Sequence, residues 1–246
     1  MELRAANWAL DESLPITPQV HRMLRTAIIQ GQLEPGNRIS ESEIAKTCNV
    51  SRQPVREAFI KLAGEGLLAV LPQRGTIISK IDYGAALDAR FLREAIEADI
   101  IAILVRIPDA ALIRDLRSQI DAQRAAANMP SAFIQLDEAF HRMLAEGAGK
   151  GGAFKLIEGL KSQMDRVRFL SLGQFPVDKL IAQHSALVDH IERGAAAQAN
   201  TAIRTHLREI LSDLPIVVAA CPSFFNLPDG EIPTPVNAPI QGGEIK

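Results

Sequence analysis

The stretch FIQLDEAFHRML, residues 133–144, places Asp137 and His141 four residues apart. At helical spacing both fall on the apolar stripe of Phe133, Phe140 and Leu144. Two later histidines repeat the pattern. His184 stands among Leu180, Ile181, Val188 and Ile191, and His206 among Ile203, Ile210 and Leu214. His190 falls off that stripe, and His21 belongs to a different part of the chain. A buried carboxylate or imidazole is costly unless it is paired. Taken singly, each is most simply a core residue with its own hydrogen-bond partner. Four inward groups from three segments have a more economical explanation, because one divalent ion satisfies all of them. Three imidazoles and a carboxylate suit Zn, Ni or Mn.

Those groups need helices to carry them. From Asp82 onward the period is helical throughout, and six helices are predicted: 82–106, 109–127, 131–146, 152–172, 177–192 and 195–214. Breaks fall at Pro108, Pro130, Gly147 to Gly152, Gly173 to Pro176, and Gly194. Residues 216–246 are expected to form a proline-rich tail; from Cys221 on there are five prolines and no helical period, and its Phe224 and Phe225 can dock against the rest of the chain.

The first eighty residues differ. One helix is expected from Thr17 or Pro18 to Gly31, and a second from the capping box SESE, Ser40–Glu43. After Asn49 a third opens at Ser51. Two strands then surround a turn at Pro72–Gly75. Two short helices joined by CNVS and followed by a β-ribbon make a winged helix-turn-helix. Arg52 and Arg56 lie one turn apart at the start of its second helix, beside the buried face. Arginine binds guanine O6 and N7 in bidentate fashion and also suits phosphate. Gln53 lies between them, and Arg74 and Gly75 sit in the wing turn. An isolated arginine pair would merely solvate a helix face; the surrounding block gives this one its direction.

Composition sets outer bounds. The chain has 246 residues, a net charge of −2 and 47% hydrophobic residues, as for an ordinary globular protein. Residues 1–80 hold 10 Lys and Arg against 8 Asp and Glu, a slight basic excess. Two cysteines, Cys48 and Cys221, are too few for a disulfide framework or a cysteine zinc site. With no signal-peptide pattern and no long apolar run, a cytoplasmic location and no membrane contact are expected.

The segments PGNRISE, VSRQPVREA, L-x-x-EGLL and RGT resemble the winged-helix domain of the GntR family of bacterial transcription regulators, over residues 15–80. The resemblance implies DNA contacts from Arg52 and Arg56, helped by Ser42, Gln53, Arg74 and Gly75. Further on, FLREAIEADIIA, LDEAFHRML, QHSALVDHIERG and TAIRTHL resemble the all-helical FCD domain of the FadR subfamily. In the metal-containing branch of that subfamily an Asp-x-x-x-His pair and two later histidines hold one divalent ion. Asp137, His141, His184 and His206 match those positions. Arg93 shares a face with Ile100 and Leu104 and has Glu97 one turn on as a ready partner. The resemblance implies another role for it, holding the carboxylate of a small organic acid beside the metal, with Gln135 and Arg168 as further cavity residues.

The expected protein is mainly α, with a winged helix-turn-helix at 1–80 and a helical bundle of six to seven helices at 81–215. It would act as a homodimer on a roughly palindromic operator, as a repressor in the family's commoner mode. One rival is a regulator for which the ion itself is the signal. The other is a metal-dependent hydrolase, which an attached winged helix disfavours.

Overall fold

The computed structural model describes residues 8, 10–73, 75–172 and 177–228, and the chain divides into two units. The first runs to Ile81 and regains Ser223–Asn226; the second is built on Asp82–Pro222. Arg74 and residues 229–246 of the expected tail lie outside the described residues. Among the described residues no helix is long and apolar enough to cross a membrane.

The first unit is the anticipated winged helix-turn-helix. It comprises α1 (Ile16–Ile29), β1 (Arg38–Ile39), α2 (Glu41–Thr47), α3 (Arg52–Gly64), β2 (Leu68–Leu71) and β3 (Gly75–Ile78). Val20, Leu24 and Ile28 of α1 pack with Ile44, Val55, Phe59 and Leu62 in one core. The Ser40 hydroxyl accepts from Glu43 N at 3.4 Å, so Ser40 caps α2, the first half of the capping box. Asn49 closes the turn between α2 and α3 with φ 53°, a left-handed conformation that asparagine tolerates. Two local expectations shift. Pro15, not Thr17, stands at the start of α1, and the Thr17 hydroxyl instead donates to Glu57 Oε2 at 3.0 Å. The β-ribbon also gains a third strand, because β1 pairs antiparallel with β3 to give the order β1-β3-β2. Two residues are too few for alternation to reveal a strand.

Among the described residues the second unit has seven helices: α4 (Tyr83–Leu104), α5 (Ala110–Ala125), α6 (Pro130–Gly147), α7 (Gly151–Leu160), α8 (Ser162–Leu172), α9 (Asp178–Glu192) and α10 (Ala196–Ala220). Phe133, Phe140, Leu144, Val188, Leu116 and Ile203 sit in its core, each fully buried or nearly so. Asp82 and Asp109 cap α4 and α5, their side chains accepting from Ala85 N and Ala111 N. The predicted 152–172 helix is two helices, divided at Lys161, a break that no proline announces. The last helix passes the predicted end at 214 and includes Pro215. Proline costs a helix one hydrogen bond, and here the burial of Val217 and Val218 beyond it offsets the loss. After a 3-10 turn at Pro222–Phe224, β5 (Phe225–Asn226) pairs with β4 (Ile81–Asp82) and Phe225 is buried.

One buried charge group clamps α4 to α10. Glu94 accepts from Arg90, from Arg204 Nη1 at 2.9 Å and from Arg208 Nε at 2.9 Å. Burial raises the carboxyl's pKa, but the hydrogen bonds from Arg208 and Arg204 outweigh it and hold it at about 2. Removing the one anion leaves three guanidiniums facing each other, and breaking such a buried set costs about 3 kcal/mol or more. Glu94→Ala is therefore expected to melt roughly 6–12 °C lower. Calorimetry checks this, and an unchanged melting temperature would show that the cluster carries no stability.

Candidate metal centre and helix-turn-helix

Asp137 and His141 of α6, His184 of α9 and His206 of α10 converge as their spacing implied. Their ligand atoms lie within 4.8 Å of one another and all four residues are buried. Phe140 stacks on His184 at 4.3 Å between ring centroids and closes one side of the group.

What each imidazole does with its other nitrogen decides the chemistry. His141 Nδ1 lies 2.5 Å from Glu97 Oε2, His184 Nδ1 2.8 Å from Gln123 Oε1, and His206 Nδ1 3.0 Å from Gln183 Oε1. Both glutamine amides are oriented independently. Gln123 Nε2 donates to the Leu136 carbonyl at 3.5 Å and Gln183 Nε2 to Glu209 Oε2 at 3.1 Å, so each turns its oxygen to the histidine. Three acceptors therefore require three Nδ1–H donors, which leaves Nε2 of each neutral ring a bare lone pair. Those lone pairs meet: His206 Nε2 is 3.2 Å from His141 Nε2 and 3.1 Å from His184 Nε2. A proton shared between them would relieve the contact only if a ring became an imidazolium. Burial works against that, pushing the His184 pKa down to about 3 and His206 well below its usual range.

The carboxylate completes the set. Asp137 Oδ2 accepts from Arg168, while Oδ1 is buried with no hydrogen-bond donor among the described residues, 3.6 Å from His184 Nε2. Burial alone would raise its pKa, yet the positive charge of Arg168 beside it holds it well below the usual carboxylate range. Glu97 is likewise held at about 2 against burial, by Arg93 first and then His141. Three lone pairs and an anionic oxygen around one point, each ring oriented from behind by an acceptor, are what a divalent cation needs.

A cleft of about 480 Å³, partly open to solvent, adjoins the cluster and includes Arg93, Arg168 and His206 in its lining. Arg93 Nε bonds Glu97 Oε1 at 2.5 Å, so the pairing with Glu97 exists. It does not exhaust the guanidinium, because Arg93 Nη2 and Arg168 Nη1 are both buried without a partner among the described residues. Gln135 does not join them: it is exposed on α6 and is not among the cleft-lining residues. Sequence reasoning missed Gln123 and Gln183, whose pairing with the histidines depends on how α5, α9 and α10 pack.

In the first unit, Arg52, Gln53 and Arg56 are exposed at the start of α3, and Ser42 is exposed on α2. Arg52 makes a 3.3 Å contact to Glu41 and Gln53 a 3.1 Å bond to Glu57. Ser42 Oγ lies 2.7 Å from Ser40 Oγ. Gly75 turns the wing with φ 86°, a conformation that favours glycine.

Comparison with known proteins fits both units. The profile of the bacterial regulatory proteins of the gntR family matches residues 16–78, and the FCD domain matches residues 88–209. An uncharacterized HTH-type transcriptional regulator in an unstable DNA locus of Streptomyces ambofaciens is 35% identical over 215 residues, covering 87% of this chain and 91% of its own. This chain belongs to the GntR family. The HTH-type transcriptional repressor RspR of Escherichia coli K12 is 34% identical, over 82% of this GntR chain and 90% of its own. Two solved structures share the fold. E. coli McbR/YncC has a TM-score of 0.70 at 16% identity, covering 84% of this chain and 99% of its own. A putative GntR regulator from Rhodococcus sp. RHA1 has 0.66 at 22%, covering 83% and 98%. The GntR chain is accordingly a DNA-binding transcription regulator, and its relatives are regulators rather than enzymes.

Proposed function

We propose that this regulator is a repressor whose operator affinity is set by a small carboxylate bound at a divalent metal centre. The observation that carries the reading is the trio of converging Nε2 lone pairs beside the donorless Asp137 Oδ1, next to a cleft with two buried, unpartnered arginine nitrogens. Asp137, His141, His184 and His206 would hold the ion, with Zn, Ni or Mn the metals that suit the donors. Such an ion supplies positive charge and a place for a carboxylate oxygen. Arg93 and Arg168 offer that carboxylate charge-assisted hydrogen bonds. A regulator sensing only the ion would have no use for those two nitrogens, which favours the organic acid as the signal.

Purified protein is expected to melt higher with the right mono- or dicarboxylate, hydroxy acid or sugar acid, by about 2.7 kcal/mol of added stability at a hundredfold excess over Kd. Chelator stripping and Arg93→Ala should each abolish the shift. A shift that survives both would break the link between metal, arginine and ligand.

On the DNA side, Arg52 and Arg56 would read base edges or phosphates from α3, with Gln53, Ser42 and the wing residues Arg74 and Gly75 assisting. Two copies related by a two-fold axis would set their α3 helices in successive major grooves of a roughly palindromic operator. Arg56→Ala is expected to weaken binding to a duplex selected from a random library by about 1–3 kcal/mol if it reads a base. If it contacts phosphate, the slope of log K against log salt falls by about one. Fluorescence anisotropy over a salt series separates these, and an unchanged affinity and slope would remove Arg56 from the interface.

A further inference from the structure

The cleft beside the histidines has a second charged feature. Along α10 it is lined by His206, then Leu207 and Ile210, then Asp213; along α8 by Arg168, then Ser171 and Leu172. Ser171 Oγ donates to Asp213 Oδ2 at 2.6 Å, which ties the far levels of the two helices together. Arg168, at the near level, bonds Asp137 of the metal cluster. Seven residues at about 1.5 Å rise set Asp213 some two turns, about 10 Å, along the axis from His206. Met164, Leu172, Leu180, Leu207 and Ile210 make the stretch between apolar.

The two levels want opposite charges. Near His206, Arg93 Nη2 and Arg168 Nη1 are buried without a hydrogen-bond acceptor among the described residues, although each guanidinium is paired through another nitrogen. Asp213, by contrast, has no Lys, Arg or His within 4.0 Å among the described residues, and only the Ser171 hydroxyl bonds it. The adjacent lysine is already engaged, since Lys179 and Gln183 both serve Glu209. A partly buried carboxylate without a cation is costly, so a ligand that brings one gains there. A second carboxylate at this level would meet like charge from both Asp213 and Glu209.

We infer that the effector is an amino-carboxylate whose charged groups stand at opposite ends of a short aliphatic body. Its carboxylate lies toward Arg93 and Arg168 and its ammonium on Asp213 and Ser171. This rests on the carboxylate reading above and narrows it. An α-amino acid does not meet the geometry with its one α-ammonium, which sits beside its own carboxylate rather than two helical turns away.

The test uses the full-length, metal-replete protein and straight-chain acids of about four to six carbons, a range suited to the helical spacing. At each length the far end is methyl, hydroxyl, amino or carboxylate, and calorimetric titration measures binding. The ω-amino acid is expected to bind about tenfold tighter than the dicarboxylate of the same length, a difference of about 1.4 kcal/mol. Asp213→Asn should erase that preference while leaving the methyl-ended acid within about twofold, and Asp213→Lys should turn it toward the dicarboxylate. Ser171→Ala, which keeps the charge, should weaken the preference without reversing it. A native protein that binds the dicarboxylate as well as the ω-amino acid overturns the inference and leaves the carboxylate reading standing; so does a preference that survives Asp213→Asn. Failure of every acid, the methyl-ended ones included, overturns both.

Discussion

Glu97→Gln is expected to weaken divalent-metal binding by about 10–100-fold, although Glu97 is not one of the proposed ligands. Its Oε2 accepts the Nδ1 proton of His141 at 2.5 Å, which turns the Nε2 lone pair toward His184 and His206. The amide that replaces it can present either an oxygen or an NH2 group, and the tautomer of His141 is no longer enforced. Because Glu97 also neutralises Arg93, a control must leave charge alone. Gln123→Leu does so: without changing charge it removes the acceptor of His184 Nδ1, along with a long bond to the Leu136 carbonyl that Gln119 also serves, and a loss of the same order is expected. Competition against a chromophoric chelator measures both, with circular dichroism confirming the fold. Native affinity in both variants would mean that the three rings are not held for a cation.

The second large effect is on stability in acid. His184 has its pKa depressed to about 3 by burial, against an ordinary value of 6.5, and that of His206 is depressed well below 6.5. Between the unfolded and folded values the unfolded chain binds protons that the folded chain refuses. Stability therefore falls as pH drops below about 6.5, by up to about 1.4 kcal/mol per pH unit for each such histidine. Asp137 and Glu97 work in a lower window. Their folded pKa values lie below the unfolded ones, so their contribution is present above about pH 4 and fades beneath it. Metal-free protein should thus lose stability in two stages, the first beginning near pH 6.5. Bound metal requires neutral imidazoles and should be released in that same first stage. Denaturant titrations from pH 8 to pH 3 follow both events. A stability flat between pH 7 and pH 5 would mean that the imidazoles are not held neutral.

Much of this centre was legible before the fold was known, because its ligands sit on helices. Asp137, His141, His184 and His206 betray themselves as polar residues on apolar stripes, and helical periodicity alone points them inward. The support behind them is not periodic. Gln123 and Gln183 read as unremarkable glutamines until α5, α9 and α10 pack, and only tertiary contact selects them. Glu97 was legible as a partner of Arg93, one turn away on α4, but its second role reaches α6 across 44 residues. Gln135 shows the reverse error: two residues before Asp137 on a helix, it points to another face. The last helix, expected to end at 214, runs through Pro215 to Ala220, and the packing of Val217 and Val218 beyond the proline carries it there. Lys161 divides two helices where a single periodic run was expected, since neither proline nor a glycine pair marks the place.

Whether the four buried groups hold an ion is decided by elemental analysis of the purified regulator, by inductively coupled plasma mass spectrometry after gel filtration. About one divalent ion per chain is expected in the native protein and none in the His184→Ala, His206→Ala double variant, in keeping with a site built from these donors. A native protein that carries no ion, takes none up from zinc, nickel or manganese, and melts at the same temperature in chelator would contradict this expectation.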